Sequence, residues 1–229
     1  MTAATASRPE RTGIVAALYV RTRALHLEAE QSGIIADILR GEASPAGYVL
    51  LLRNLHAAYD AMEQGLARHY QTPGLARLSA YRFDRAGAIG ADLAALCGDN
   101  WRSTIPLLPA GEAYADAITR AAEGDGSWLI AHAYTRYLGD LSGGQIVQKL
   151  LAKSMQLRPD QLSMYAFAGF PDPVVLKSEY RHALEEAGAD LIDPASVVEQ
   201  GATAFTLNIA LSVAVKNSVA EQARVGRTS

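Results

Sequence analysis

Apolar residues recur at three- and four-residue intervals along most of the chain, and alternating patterns of period two are essentially missing. The clearest stripe is Tyr48, Leu51, Leu52, Leu55, Tyr59, Met62 and Leu66, which predicts one buried helix face. Ser44-Pro45 supplies a cap and a first-turn proline for that helix, and Thr72-Pro73 closes it. An earlier stripe of Ile14, Leu18, Leu25, Ala29 and Ile38 predicts a single helix from about residue 12 to Arg40, stopped by Gly41. Further helices are expected over "DRAGAIGADLAALCG", over "AGEAYADAITRAAEG" and from Ser127 to Met155. Two more open on Asp-Pro at Asp172 and Asp193, the first stopping at Gly188. The segments around "QTPGLARLSAYRFD" and "GDNWRSTIPLLP" read as loops that lie against the body. The fold class is therefore all-α, a single domain of about seven or eight helices. It is expected to span residues 11–222, between a disordered arm at 1–10 and a polar tail at 223–229.

Composition narrows the function classes. A net charge of −3, from 21 basic and 24 acidic side chains, gives no global basic field and points away from nucleic acid. The apolar runs "YVLLL" and "IALSVAV" fall far short of the roughly 20 residues that span a bilayer. "MTAATASRPERTG" has no apolar core of a signal peptide, so a soluble, cytoplasmic protein without a membrane anchor is expected. Cys97 is the only cysteine, which excludes an intramolecular disulfide and a cysteine metal cluster.

Residues 141–145 read "LSGGQ", a string shared with nucleotide-sandwiching ATPases. That function also needs a GxxxxGK[ST] phosphate loop, and the chain has no Gly-Lys pair and no run of strands. The glycines need another explanation, since each costs about 1 kcal/mol relative to alanine inside a helix. Gly139 and Gly143 are four apart and share a face, leaving a strip where a bulky object can approach the main chain. Close helix packing or a kink is the plain alternative. The flanking Tyr134, Arg136, Asp140 and Ser142 are more polar than a packing seam requires.

"YTRYLGDLSGGQ", residues 134–145, resembles the signature of the haem oxygenases over all twelve positions. "RTRALHLEAE", "LKSEYRHALEEAG" and "ATAFTLNIAL" extend the resemblance from about Arg11 to Val219. It implies a multi-helix bundle in which haem, both cofactor and substrate, is sandwiched between a proximal helix and the glycine-rich distal helix. Of the five histidines, His26 stands out because Glu30 lies one turn further on and can orient the imidazole. The resemblance makes His26 the iron ligand and Glu30 its partner, with Thr22 and Arg23 near the ring edge. Glu30 read alone is equally a helix-face carboxylate.

The resemblance also makes Lys177 and Arg181 the propionate-binding pair, assisted by Tyr134 and Arg23; read alone, Lys177 and Arg181 are a solvated helix face. Phe205 is implied as a packing residue and Phe167 as a further contact, with Ser142 and Gly144 bordering the ring; Phe167 also reads as core. Ser212 stands where an aromatic residue is usual in the family.

Catalysis is implied to rest on Gly139 and Gly143, which steer oxygen toward the ring edge, and on Asp140, which orders proton-delivering waters with Tyr59, Arg136 and Asn208. The implied reaction uses O2 and electrons from an external donor to open haem to biliverdin, releasing carbon monoxide and ferrous iron. No flavin, iron–sulfur or GxGxxG motif is present, so a ferredoxin or NAD(P)H-dependent reductase is the expected electron donor. A bilin acceptor, such as a photoreceptor or biliverdin reductase, is a further expected partner. The rival reading is a non-catalytic haem-binding or haem-sequestering protein on the same scaffold.

Overall fold

The computed structural model describes residues 13–226, and every regular element among them is helical. The expected arm at 1–10 and the last three residues of the expected tail lie outside the described residues. In chain order the α-helices are α1 (Ile14–Gln31), α2 (Gly33–Arg40), α3 (Pro45–Arg68), α4 (Leu75–Ser79), α5 (Arg85–Cys97) and α6 (Trp101–Thr104). They continue with α7 (Pro109–Ala121), α8 (Leu129–Ala133), α9 (Gly139–Ser154), α10 (Pro173–Ala189) and α11 (Pro194–Val225). A π-helical turn, Tyr134–Leu138, joins α8 to α9 without a break, and two 3-10 turns, Pro159–Gln161 and Ser163–Tyr165, precede α10.

The central element is α3. The Ser44 hydroxyl accepts from the Gly47 N–H at its start, and Pro45 needs no partner there. Its stripe buries Leu52, Ala58, Tyr59 and Met62 almost completely, each large side chain contributing roughly 2 kcal/mol of transfer free energy. One side of α3 packs on α5 and α7, and α11 lies across it while also covering α1 and α2. Among the described residues α11 alone is long and apolar enough to span a bilayer by length and composition; here Val197, Ala204, Leu211 and Val215 along it are buried in the protein interior.

Several expected boundaries shift for physical reasons. The single helix expected to reach Arg40 breaks at Ser32 and Gly33. The Ser212 hydroxyl of α11 donates to the Ser32 carbonyl and accepts from the Ile35 N–H, replacing helical partners. Gly33 adopts φ +57°, and a Cβ there would lie 2.3 Å from the Ser212 carbonyl carbon. Ser212 is thus the residue that ties α11 to the α1–α2 break, and an aromatic side chain would not make these bonds. At the end of α3, the helix stops at Arg68 because His69 folds back, its ring bonded to Thr72 Oγ1 and the Ala122 carbonyl. Gly188 does not stop α10, which runs to Ala189, and α11 continues into the expected tail as far as Val225. Short helices α4 and α6 occupy the two expected loops, so the count exceeds seven or eight.

Two buried ionic side chains anchor the segment before α10. The Arg85 guanidinium donates to the carbonyls of Phe83, Met164 and Ala166, and the Asp92 carboxylate accepts from the N–H groups of Ser163 and Met164. Tyr165, fixed between them, packs under α9 at Gly144, while Gln145 donates to the Tyr165 carbonyl.

Candidate active site

The π turn and α9 carry the motif singled out in the sequence. A Cβ built on Gly139 or Gly143 meets no other atom within 4 Å, so these glycines border open space and not a packing seam. Ser142 is exposed beside them. Gly144 is a correction: it lies buried on the other side of the helix, where a Cβ would come 3.3 Å from the Tyr165 ring, so it serves packing and does not border the strip.

Beneath the strip lies a closed polar network. Tyr59 on α3 donates its hydroxyl to the Asp140 carboxylate. Arg136 donates through Nε and Nη2 to the Tyr59 oxygen at 3.0 and 2.8 Å, and through Nη1 to Asn208 Oδ1 at 2.8 Å. Its Nη2 also reaches Asp140 Oδ1 at 3.4 Å. Burial pushes the Asp140 carboxyl above the usual aspartate range, with Arg136 and the Tyr59 hydrogen bond pulling the other way. For Arg136, burial alone would favour the neutral form, but Tyr59 and Asp140 outweigh it and keep the guanidinium charged. The four residues expected to form the proton network are therefore one bonded unit, drawn from α3, the π turn, α9 and α11.

The second half of the site belongs to α1 and α11. His26 is more than half exposed, its Nδ1 3.6 Å from Glu30 Oε1, a distance suited to a bridging water, and its Nε2 has no protein partner. The imidazole sits 5.8 Å from the Phe205 ring. Ala29, Phe205 and Ile209, with Leu25 and Tyr134 against them, form an apolar cluster separate from the main core. The Tyr134 hydroxyl lies beside Thr22 and close to Arg181; burial raises its pKa and both neighbours oppose the rise. Thr22 itself is buried and bonded to the Leu18 carbonyl. Lys177, Arg181 and Arg23 are exposed and form no ion pair with described residues. An uncommitted imidazole, an apolar wall, a bare main-chain strip and unpaired cations suit a flat, largely apolar ligand with anionic groups at its edge.

A family model described as Heme oxygenase matches residues 12–214. The chain belongs to the haem oxygenase family. Heme oxygenase 1 of Nostoc sp. is 36% identical over 193 residues, 84% of this chain and 81% of that protein. Heme oxygenase 1 of Rattus norvegicus is 33% identical over 198 residues, 85% of this chain and 68% of its own. The crystal structure of heme oxygenase-1 from the cyanobacterium Synechocystis sp. in complex with heme has a TM-score of 0.86 at 29% identity, covering 95% of this chain and 98% of that one. The structure of the enzyme from Leptospira interrogans has a TM-score of 0.83 at 28% identity, covering 88% and 99%.

Within this haem oxygenase fold one further expected contact lies elsewhere. Phe167 is buried in an aromatic cluster, 5.1 Å from the Phe83 ring and 4.3 Å below the Arg85 guanidinium, so it is a core residue. A cavity of about 530 Å³ lined by Glu63, Leu66, Leu78, Phe83 and Tyr137 is also distinct from the family site, sharing none of its residues. Sequence reasoning passed over Tyr114, which is fully buried on α7 and electrostatically coupled to Arg136 and Asp140; burial pushes its hydroxyl up to about 12. It also passed over Arg85, Asp92 and Tyr165, which support α9 from behind. In the sequence Tyr114 is indistinguishable from a core position, and Arg85 from a solvated first-turn charge.

Proposed function

We propose that this haem oxygenase family member opens haem to biliverdin, carbon monoxide and ferrous iron, using O2 and electrons from an external donor. The observation that carries the reading is the bare main chain at Gly139 and Gly143 on the same helix as Asp140, whose carboxylate is held back by Tyr59 and Arg136. Haem fits the residues present: His26 Nε2 has no protein partner, the apolar cluster around Phe205 can cover a ring face, and Lys177, Arg181, Arg23 and Tyr134 can receive propionates.

In this mechanism haem supplies the iron that activates oxygen and is itself the ring that is opened. His26 holds the substrate from the α1 side, and Glu30 orients the imidazole through Nδ1. The glycines leave room above the ring and place no strong acid over it. Peroxidase chemistry needs such an acid, so its absence favours attack on the ring's own edge. Asp140 holds a proton one water away from the reacting atoms, and its upward-shifted pKa matches it to both taking and returning that proton. Arg136 and Asn208 fix the carboxylate's position through Tyr59, so the water it orders has a defined place.

The reading includes a soluble cytoplasmic protein that receives electrons from a ferredoxin or NAD(P)H-dependent reductase at the cation-rich edge. It passes its product to a bilin acceptor such as a photoreceptor or biliverdin reductase. The test is reconstitution of purified protein with haem, followed by reductant and oxygen. The expected result is a Soret band that His26→Ala alters, then conversion to a bilin identified by chromatography. Return of intact haem would identify a sequestering protein instead.

A further inference from the structure

On the side of α3 that meets α5 and α6, three nitrogen-bearing side chains gather around one indole. The Arg102 guanidinium lies 4.1 Å from the centre of the Trp101 ring, that of Arg53 lies 5.6 Å from it, and the His56 ring meets it edge-on at 4.9 Å. Trp101 is buried to 2% exposure, so the three groups share a defined floor. Stacking on an indole satisfies the flat face of a guanidinium but none of its N–H groups. Neither Arg53 nor Arg102 forms a hydrogen bond or ion pair with any described residue, and Arg53 Nε is buried without an acceptor. Other arginines on this molecule are neutralised at short range, as in Arg21 with Glu199, Arg77 with Glu186 and Arg158 with Asp160.

The electrostatics point the same way. Burial lowers the pKa of Arg53 and the nearby Arg102 lowers it further. His56 is pushed down by burial, then by Arg102 and Arg53, against an upward pull from Asp60 one turn along α3. The groups repel one another across a patch whose remaining hydrogen-bonding capacity is all donor once His56 is protonated.

We propose that Arg53, Arg102 and His56 form an oxyanion-binding site, specific for a phosphate-type group, free or carried as a monoester. Such a group brings several acceptors to two forked donors, supplies the missing partner of Arg53 Nε, and reverses the unfavourable charge environment of His56. The site is separate from the residues assigned to haem, and the proposal is independent of the reaction assigned above.

The experiment is titration of the full-length protein with inorganic phosphate, and separately with methyl phosphate, at constant ionic strength held with chloride. Calorimetry gives the affinity, and NMR of the His56 ring protons gives a local signal. Saturable binding with Kd on the order of 1 mM or tighter is expected, with the His56 pKa rising as the site fills. Arg102→Gln, at an exposed position, should weaken binding at least tenfold while leaving thermal melting unchanged, and Arg53→Met should abolish it. Tighter binding of methyl phosphate would assign the site to a small-molecule ester, and equal or weaker binding to the free ion. Absence of saturation at 20-fold above that concentration, or undiminished binding in Arg102→Gln, overturns the proposal.

Discussion

The Tyr59 hydroxyl donates to the Asp140 carboxylate while accepting two hydrogen bonds from Arg136, so a single phenol oxygen joins α3 to the π turn and to α9. That bond favours the ionised carboxylate against the burial that raises its pKa. Tyr59→Phe should therefore raise the Asp140 pKa further. The acid limb of the pH–turnover profile should move to higher pH, and stability in urea should fall by about 2 kcal/mol because Arg136 keeps donors without acceptors. A profile superimposable on the wild type would separate Asp140 from the proton supply.

Gly139 offers a test in which stability and function move apart. A Cβ there meets nothing, and alanine is the better helix former, so Gly139→Ala should stabilise the haem-free protein by roughly 0.5–1 kcal/mol. Turnover should fall about tenfold or more, since the methyl occupies space assigned to the substrate. Thermal melting without haem, beside bilin yield with it, reads both effects. Destabilisation would mean that the glycine is a packing residue.

Gly33 should behave in the opposite way. Its φ of +57° and the 2.3 Å approach of a Cβ to Ser212 leave alanine no accommodation without moving α11. Gly33→Ala is expected to cost about 2–4 kcal/mol by denaturant unfolding.

His132 is buried on α8, with Nε2 3.0 Å from Gln200 Nε2 and Nδ1 without a partner. Burial lowers its pKa from 6.5 to about 4. The unfolded chain therefore binds a proton that the folded chain refuses. The stability of the native state is complete above pH 6.5 and declines as pH falls through the window down to about 4. The loss is on the order of 3 kcal/mol. Urea melts of wild type and His132→Leu at matched pH should converge as the pH drops, because the variant lacks this titration.

The helical class, α3 with its Ser44 cap, and the membership of the proton network were legible because each has a local signature. Periodicity gives a buried face, Ser-Pro gives a start, and a twelve-residue motif fixes Tyr134, Arg136 and Asp140 together. Gly144 and Phe167 were misplaced for the same reason that they could not be read. Neighbours in sequence on a helix point to different sides, and only Tyr165 and Arg85, distant in the chain, decide which side is packed. The break at Gly33 depends on Ser212, nearly the whole chain away, and no local pattern announces it. Exposed Arg23, Lys177 and Arg181 carry no geometric mark of their own; the resemblance alone singled them out.

The π turn at Tyr134–Leu138 has a consequence for which changes the chain can tolerate. Such a turn accommodates one residue more than the α-helical spacing would, and removing a residue rotates everything downstream by about 100°. Deletion of any one of these five residues would dial Gly139 and Asp140 out of phase with Tyr59 and Asn208 even if α9 stayed helical. Length in this stretch is thus more tightly constrained than the identity of most of its side chains.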